Sequence, residues 1–134
     1  MARVTQLNTD FGPDVVRFEF EKIADARGNL CPVDFDQLPF RPAHMFFISD
    51  VTPGTTRGGH ARRSSEQLLL CLAGVIRVVV QHHGRAEEFV LNERQAIHLK
   101  PNVWSRQTYC SSDARLLVLT SGKYDQADYT IMPS

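Results

Sequence analysis

Apolar residues in this chain come in short runs, each soon stopped by Gly, Pro, Asn, Asp or Ser, and no run keeps the i, i+3, i+4, i+7 spacing of a helix over several turns. That punctuation constrains the fold more than any single motif does. Residues 15–20 alternate, with Val16, Phe18 and Phe20 on one face and Arg17 and Glu19 on the other, which predicts a half-buried first strand. Asp25-Ala26-Arg27-Gly28-Asn29-Leu30 reads as a turn, and the segment 32–42 is too rich in proline for a helix. Residues 45–49 form an apolar, aromatic run ended by Asp50 and Pro53-Gly54, the pattern of a buried strand. Residues 68–73 and 75–80 are two further runs parted only by Gly74, so a bend or tight turn lies between them. Strands are predicted again at 89–91, 96–99, 103–109 and 115–120, and the tail from Gly122 is a short helical turn or an irregular cover. The economical architecture is an all-β sandwich or barrel, a single domain over residues 1–134 with one core and one main cavity.

Composition removes several classes of function. The 15 basic and 15 acidic residues cancel, which leaves no broad electrostatic footprint for nucleic acid or an anionic membrane. Arg57, Arg62 and Arg63 are a local cluster able to hold one anionic ligand. Cys31, Cys71 and Cys110 are odd in number and lack CxxC spacing, and Cys71 sits inside an apolar run, so a reducing, cytoplasmic setting is expected. The first dozen residues carry no apolar signal region, and the run 68–76 falls far short of the roughly 18 residues that a membrane span needs. Gln81-His82-His83-Gly84 reads as a hairpin turn whose two histidines point different ways, a solvated loop rather than a metal pair.

The stretch from Arg57 to Gly74 places glycines, then polar residues, then an apolar strand, which is the layout of a site followed by its scaffold. Cupin-type β-barrels carry a metal-binding motif, G-x5-H-x-H-x3-E-x6-G. Here Gly54 leads to His60, Arg62 stands where the second histidine belongs, Glu66 follows, and Gly74 comes one residue late. Arginine is no metal ligand, because its guanidinium stays protonated. The second cupin motif wants a histidine within 101–106, and Trp104-Ser105 offers none, so no metal is expected.

Asp25-Ala26-Arg27-Gly28-Asn29-Leu30, Arg57-Gly58-Gly59-His60-Ala61, Glu66-Gln67, Pro101-Asn102-Val103-Trp104 and Tyr124-Asp125-Gln126-Ala127-Asp128-Tyr129 carry a narrower resemblance, spanning residues 16–129. They resemble the dTDP-4-oxo-6-deoxyglucose 3,4-ketoisomerases, the WxcM-like group of the RmlC-like cupins. The resemblance implies a jelly roll, or double-stranded β-helix, free of metal and cofactor. It also implies a homodimer, often with exchanged N-terminal strands, whose partner is a dTDP-linked ketosugar rather than nucleic acid or membrane. One base there moves a proton between C3 and C4 through an enediol. Carried over by position, His60 is the acid/base, and Arg27, Arg57, Arg62, Glu66, Gln67, Trp104 and Tyr124 bind substrate.

Two departures matter. The family shows R-G-x-H-x-H, and Arg62 removes the second histidine, leaving a group suited to an enediolate or a diphosphate. In Ala96-Ile97-His98-Leu99 the family usually has an aromatic residue where His98 stands, so His98, if it faces the cavity, supplies the missing base. Alternation from His60 puts Glu66 rather than Gln67 on its side, and a bulge within 63–65 reverses that; the sequence leaves the choice open. The leading expectation is a ketoisomerase, with two rivals. One is a non-catalytic sugar-nucleotide-binding cupin whose Arg62 has replaced catalysis with anion binding; the other is an epimerase-like relative using enediol chemistry at other carbons.

Overall fold

The computed structural model describes residues 3–133. Its strands are β1 (Val4–Asn8), β2 (Val15–Phe20), β3 (Ile23–Asp25), β4 (Gly28–Leu30), β5 (His44–Ile48), β6 (Thr56–Arg62), β7 (Gln67–Ala73), β8 (Ile76–His82), β9 (Arg85–Leu91), β10 (Gln95–Leu99), β11 (Trp104–Tyr109), β12 (Arg115–Thr120) and β13 (Tyr129–Thr130). Single 3-10 turns at Gly12–Asp14, Phe35–Gln37 and Gln126–Asp128 are the only helical pieces among the described residues. None of these is long and apolar enough to cross a membrane.

A six-stranded sheet in the order β1-β2-β10-β7-β12-β5 packs against a five-stranded sheet in the order β13-β6-β11-β8-β9, while β3 and β4 form a separate hairpin. The ladders are antiparallel throughout, and chain neighbours such as β6 and β7 fall in different sheets, which is the jelly roll of the cupins. Side chains alternate accordingly. Val15, Leu69, Cys71, Ile97 and Leu99 from one sheet meet Ile76, Val78, Val80 and Tyr109 from the other to fill the interior. The opposite face of the six-stranded sheet is also apolar: Val16, Phe18, Phe20, Leu68, Leu70 and Ala96 lie under Val33, Leu38 and Phe40 of the proline-rich connector. The alternation in residues 15–20 was therefore legible, but the buried stripe it marks is the sheet's outer face.

Three elements escape the sequence pattern. Strand β1 pairs with β2 from Val4↔Phe20 to Asn8↔Val16, yet its polar, largely exposed residues give no alternation to read. Strand β9 begins at Arg85, earlier than residues 89–91 suggest, because an edge strand can present Arg85, Glu87 and Glu88 to water while β8 supplies its backbone partners. Strand β5 is not the fully buried strand expected; it is an edge strand with Met45 55% and Phe47 68% exposed on its outer side. At Gly74 the expected tight turn is present, with φ +74°, and a β-carbon there would lie 2.8 Å from the Ala114 Cα.

Candidate active site

The central stretch folds as β6, and two consecutive glycines shape its approach to β11. Gly58 and Gly59 have φ of +85° and +80°, and a β-carbon on Gly58 would stand 2.6 Å from Gln107 Oε1. The pairing of β11 with β6 shifts register between Ser105 and Arg106, so that Ser105 lies opposite His60. This irregular crossing turns His60 inward. The resulting hollow, of about 110 Å³, is lined by Arg57, Gly58, His60, Gln67, Ser105 and Gln107 with an apolar wall of Phe46, Ile48, Leu69, Leu116 and Val118.

His60 is half-buried, and that burial holds its imidazole below the ordinary histidine range; a hydrogen bond with the Gly58 backbone opposes the shift and the Arg62 charge adds to it. Its ring meets Tyr129 edge-on, with centroids 4.7 Å apart. Gln67, Ser105 and Gln107 are all buried, and Gln107 Nε2 donates to Ser105 Oγ at 3.0 Å. Arg57 stands exposed at the mouth. Ser105 and Gln107 were not singled out from sequence; their spacing of two on a strand beside the Pro101-Asn102 turn was the available signal. Deeper in the barrel, burial pushes the Tyr109 phenol up to about 12, and its hydroxyl has no hydrogen-bond partner among the described residues.

Arg62 is the main correction. It is not aimed at a ligand, because its guanidinium is consumed within the fold at 1% exposure. Nε donates to Asp128 Oδ2 at 2.8 Å, Nη1 to the Tyr129 hydroxyl at 3.3 Å, and Nη2 to Ser65 Oγ at 3.3 Å and the Lys123 carbonyl at 3.4 Å. Its Cζ also lies 4.5 Å from the Tyr129 ring centroid. Burial alone would raise the Asp128 carboxyl, but hydrogen bonds from Ser64 and Arg62 outweigh it and hold the group well below the usual carboxylate range. Arg62 therefore ties the C-terminal segment to β6, and β13, with Tyr129 opposite Arg62, is the product.

Five further expected site residues lie elsewhere. His98 does not face the cavity: Ile97 and Leu99 point inward, so His98 points outward, where it packs near Phe18 and Phe40 and shares a 2.8 Å hydrogen bond with Glu66 Oε1. Burial lowers its imidazole, and the Glu66 bond works against that. Glu66 is outside for a related reason. Residues 63–66 carry the chain from one sheet to the other and reset the alternation, so Gln67 and not Glu66 joins His60. Trp104 is buried but is not among the lining residues; its Nε1 donates to the Ile131 carbonyl at 3.2 Å and pins the tail. Arg27 projects from the β3–β4 hairpin, paired with Asp25 at 2.7 Å and away from the hollow. Tyr124 is exposed beside Tyr129, with centroids 6.1 Å apart, and borders a shallow surface depression with Ser64 and Lys123.

The donor set does not fit the metal of other cupins. His60 is the only imidazole among the lining residues and no carboxylate or thiol joins it there, Arg62 is held in its ion pair, and Glu66 faces the other way.

The chain matches the family model FdtA: WxcM-like, C-terminal over residues 13–132. The TDP-4-oxo-6-deoxy-alpha-D-glucose-3,4-oxoisomerase of Aneurinibacillus thermoaerophilus is 34% identical to it over 112 residues, covering 82% of this chain and 81% of that protein. The sugar 3,4-ketoisomerase QdtA of Thermoanaerobacterium thermosaccharolyticum, crystallised with TDP, superposes with a TM-score of 0.83 at 29% identity, over 90% of this chain and 89% of the other. The rmlC epimerase of Mycobacterium tuberculosis shares the fold, with a TM-score of 0.81 over 93% of this chain and 71% of that one at 14% identity. A jelly roll that turns one histidine into a polar barrel hollow, matched along nearly its whole length by that model, belongs to the FdtA, WxcM-like family.

Proposed function

We propose that the chain, working as one cupin domain, is a sugar-nucleotide 3,4-ketoisomerase that converts a dTDP-4-keto-6-deoxyhexose to its 3-keto isomer. One observation carries the chemistry: His60 is the only imidazole among the residues lining the hollow, and its burial lowers its affinity for protons, which favours the free base that proton abstraction needs. The C4 carbonyl acidifies the C3 hydrogen. His60 takes that proton, the C3–H electrons form a C3–C4 double bond, and the carbonyl oxygen becomes an enediolate. The O3 proton passes to O4, His60 returns its proton to C4, and the electrons left on O3 form the new carbonyl. Gln67, Ser105 and Gln107 supply neutral hydrogen-bonding groups around the developing charge, and Arg57 is the lining residue that carries a fixed positive charge.

A hollow of about 110 Å³ is small beside the roughly 300–1,000 Å³ of ordinary ligand pockets. It suits the reacting part of the hexose, with the nucleotide outside, near Arg57. The engagement of Arg62 with Asp128 also weakens the rival anion-binding reading, because that reading needed a free guanidinium. The functional unit we propose is a homodimer: Met45, Phe47, Leu30 and Phe35 are exposed apolar groups of the kind a second copy covers. Exchange of N-terminal strands would move β1, which sits at the sheet edge with β2 as its neighbour. Cys31, Cys71 and Cys110 are all free thiols, which supports a reducing, cytoplasmic setting.

The test is His60→Asn with the dTDP-ketosugar in D2O. Turnover and deuterium incorporation at C3 and C4 are expected to fall about 10²- to 10⁴-fold while dTDP affinity stays within a few fold. Retained exchange in this variant would remove His60 from the mechanism, and exchange at another carbon would favour epimerase-like chemistry.

A further inference from the structure

Strand β8 directs Ile76, Val78 and Val80 into the core, and His82 continues the same alternation. An imidazole at a core-facing position calls for a polar partner. His82 is 4% exposed, and its Nε2 lies 3.0 Å from Asp14 Oδ2. The turn to β9 then brings in a third group. His83 and Gly84 have φ of 51° and 75°, the two-residue hairpin geometry that ordinarily selects Asn-Gly. Histidine in that left-handed position swings its ring onto that of its neighbour, with centroids 3.8 Å apart. The expectation that adjacent histidines diverge fails here because the left-handed residue breaks strand alternation.

We propose that Asp14, His82 and His83 form a binding site for a divalent transition ion of the zinc kind. One ligand atom from each side chain lies within 4.8 Å of the other two. Zinc bonds of about 2.0–2.1 Å to nitrogen and oxygen put tetrahedral neighbours roughly 3.3 Å apart, so the 3.0 Å gap between His82 and Asp14 needs to open only slightly. Two imidazoles and one carboxylate suit Zn2+, Co2+ or Ni2+ rather than Mg2+ or Ca2+, which favour all-oxygen shells, and water completes the coordination. Both sides of the site are fixed. The Asp14 carbonyl accepts from the Lys100 amide at 3.0 Å at the entrance to β2, and His82 pairs with Arg85 across the hairpin. The nearby cation, Arg85, is drawn off toward Phe11 and Asp10. The site shares no residue with the hollow around His60. An ion there staples the turn before β2 to the β8–β9 hairpin.

The measurement is a zinc titration of the full chain, stripped with chelator, by calorimetry and by thermal melting, with Co2+ absorption reporting coordination. Cys31→Ser/Cys110→Ser is the background, because both thiols are exposed and bind zinc themselves. One saturable ion per chain is expected, with Tm rising on the order of 8 °C when zinc is a hundredfold above Kd, and no response to Mg2+. His83→Ala, which removes an exposed side chain, and Asp14→Asn should each weaken zinc binding at least tenfold. Absence of a saturable zinc response, or binding that neither substitution weakens, overturns the proposal and leaves Asp14 and His82 as a hydrogen-bonded lock alone.

Discussion

Replacing Arg62 with methionine tests whether one buried ion pair holds the C-terminal segment beside His60. The side chains of Arg62 and Asp128 are 1% and 6% exposed and meet at 2.8 Å. Removing one leaves the other desolvated, and breaking such a pair costs about 3–5 kcal/mol. The loss should fall near the lower end, because Asp128 keeps the Ser64 amide at 2.7 Å and the Ser64 hydroxyl at 2.6 Å. Losing the contact between the guanidinium and the Tyr129 face adds roughly 1 kcal/mol. Arg62→Met is therefore expected to lower the unfolding free energy by about 4 kcal/mol, read from urea melts. Hydrogen exchange should show residues 123–130 losing protection before the sheets do. Adding Asp128→Asn removes the stranded charge while its carbonyl goes on accepting from Ser64, so the double variant should recover much of the loss. A single substitution that costs less than ~1 kcal/mol, or a double variant no more stable than the single, refutes this account.

Three other outcomes follow from the same geometry. Because burial lowers the His60 imidazole, the acid limb of kcat/KM should lie below the ordinary histidine value of about 6.5, and a limb above 7 would contradict the environment described. His98 is also held low. Below about pH 6.5 the unfolded chain takes up a proton that the folded chain resists, so stability should fall as pH drops from the unfolded value through the lower folded one, and His98→Gln should flatten that slope in urea melts. Tyr109→Phe removes a buried hydroxyl with no partner among the described residues and should raise stability by about 1 kcal/mol; a loss of more than that would show the hydroxyl to be satisfied.

Much of the architecture was legible because strand alternation and turn residues are local signals. Residues 115–120, bounded by Asp113 and Gly122, match β12, and Gly74 marks the joint between β7 and β8. What was hidden depends on which sheet a strand joins. The pattern in 96–99 is the same whether His98 faces in or out; only the pairing of β10 between β2 and β7, with Leu99 opposite Gln67, puts Ile97 and Leu99 inside. Parity failed between His60 and Glu66 because the intervening residues cross from one sheet to the other. Arg62 was legible as a departure but not as a clamp, since its partner Asp128 is 66 positions away. The surroundings of His60 were partly legible: paired glycines before a histidine announce a close backbone approach, but that Ser105 and Gln107, inward-facing by alternation on β11 between Val103 and Tyr109, lie beside His60 depends on the pairing of β11 with β6.

An arginine at position 62 and the proposed role of His60 are compatible on chemical grounds. A proton moving between adjacent carbons on one face of a sugar needs a single base whose reach spans both, so in the mechanism proposed above His60 alone serves the carbon-to-carbon step. A second group is needed only to carry the proton between the two oxygens, and a neutral relay such as the Ser105 hydroxyl, opposite His60 in the ladder, serves without ionising. The second motif position is then free for another task. Here the guanidinium draws Asp128 and Tyr129 onto β6 and sets the Tyr129 ring edge-on against His60. On this reasoning Arg62→His restores the motif but cannot restore the site. A shorter imidazole does not reproduce the guanidinium's reach from Asp128 to Tyr129 and Ser65, so kcat should fall with loss of order in the tail, and Tyr129→Phe, which keeps the ring, should be milder. Higher turnover in Arg62→His than in the parent would mean that the second histidine position is itself chemical, and that the clamp is incidental to catalysis.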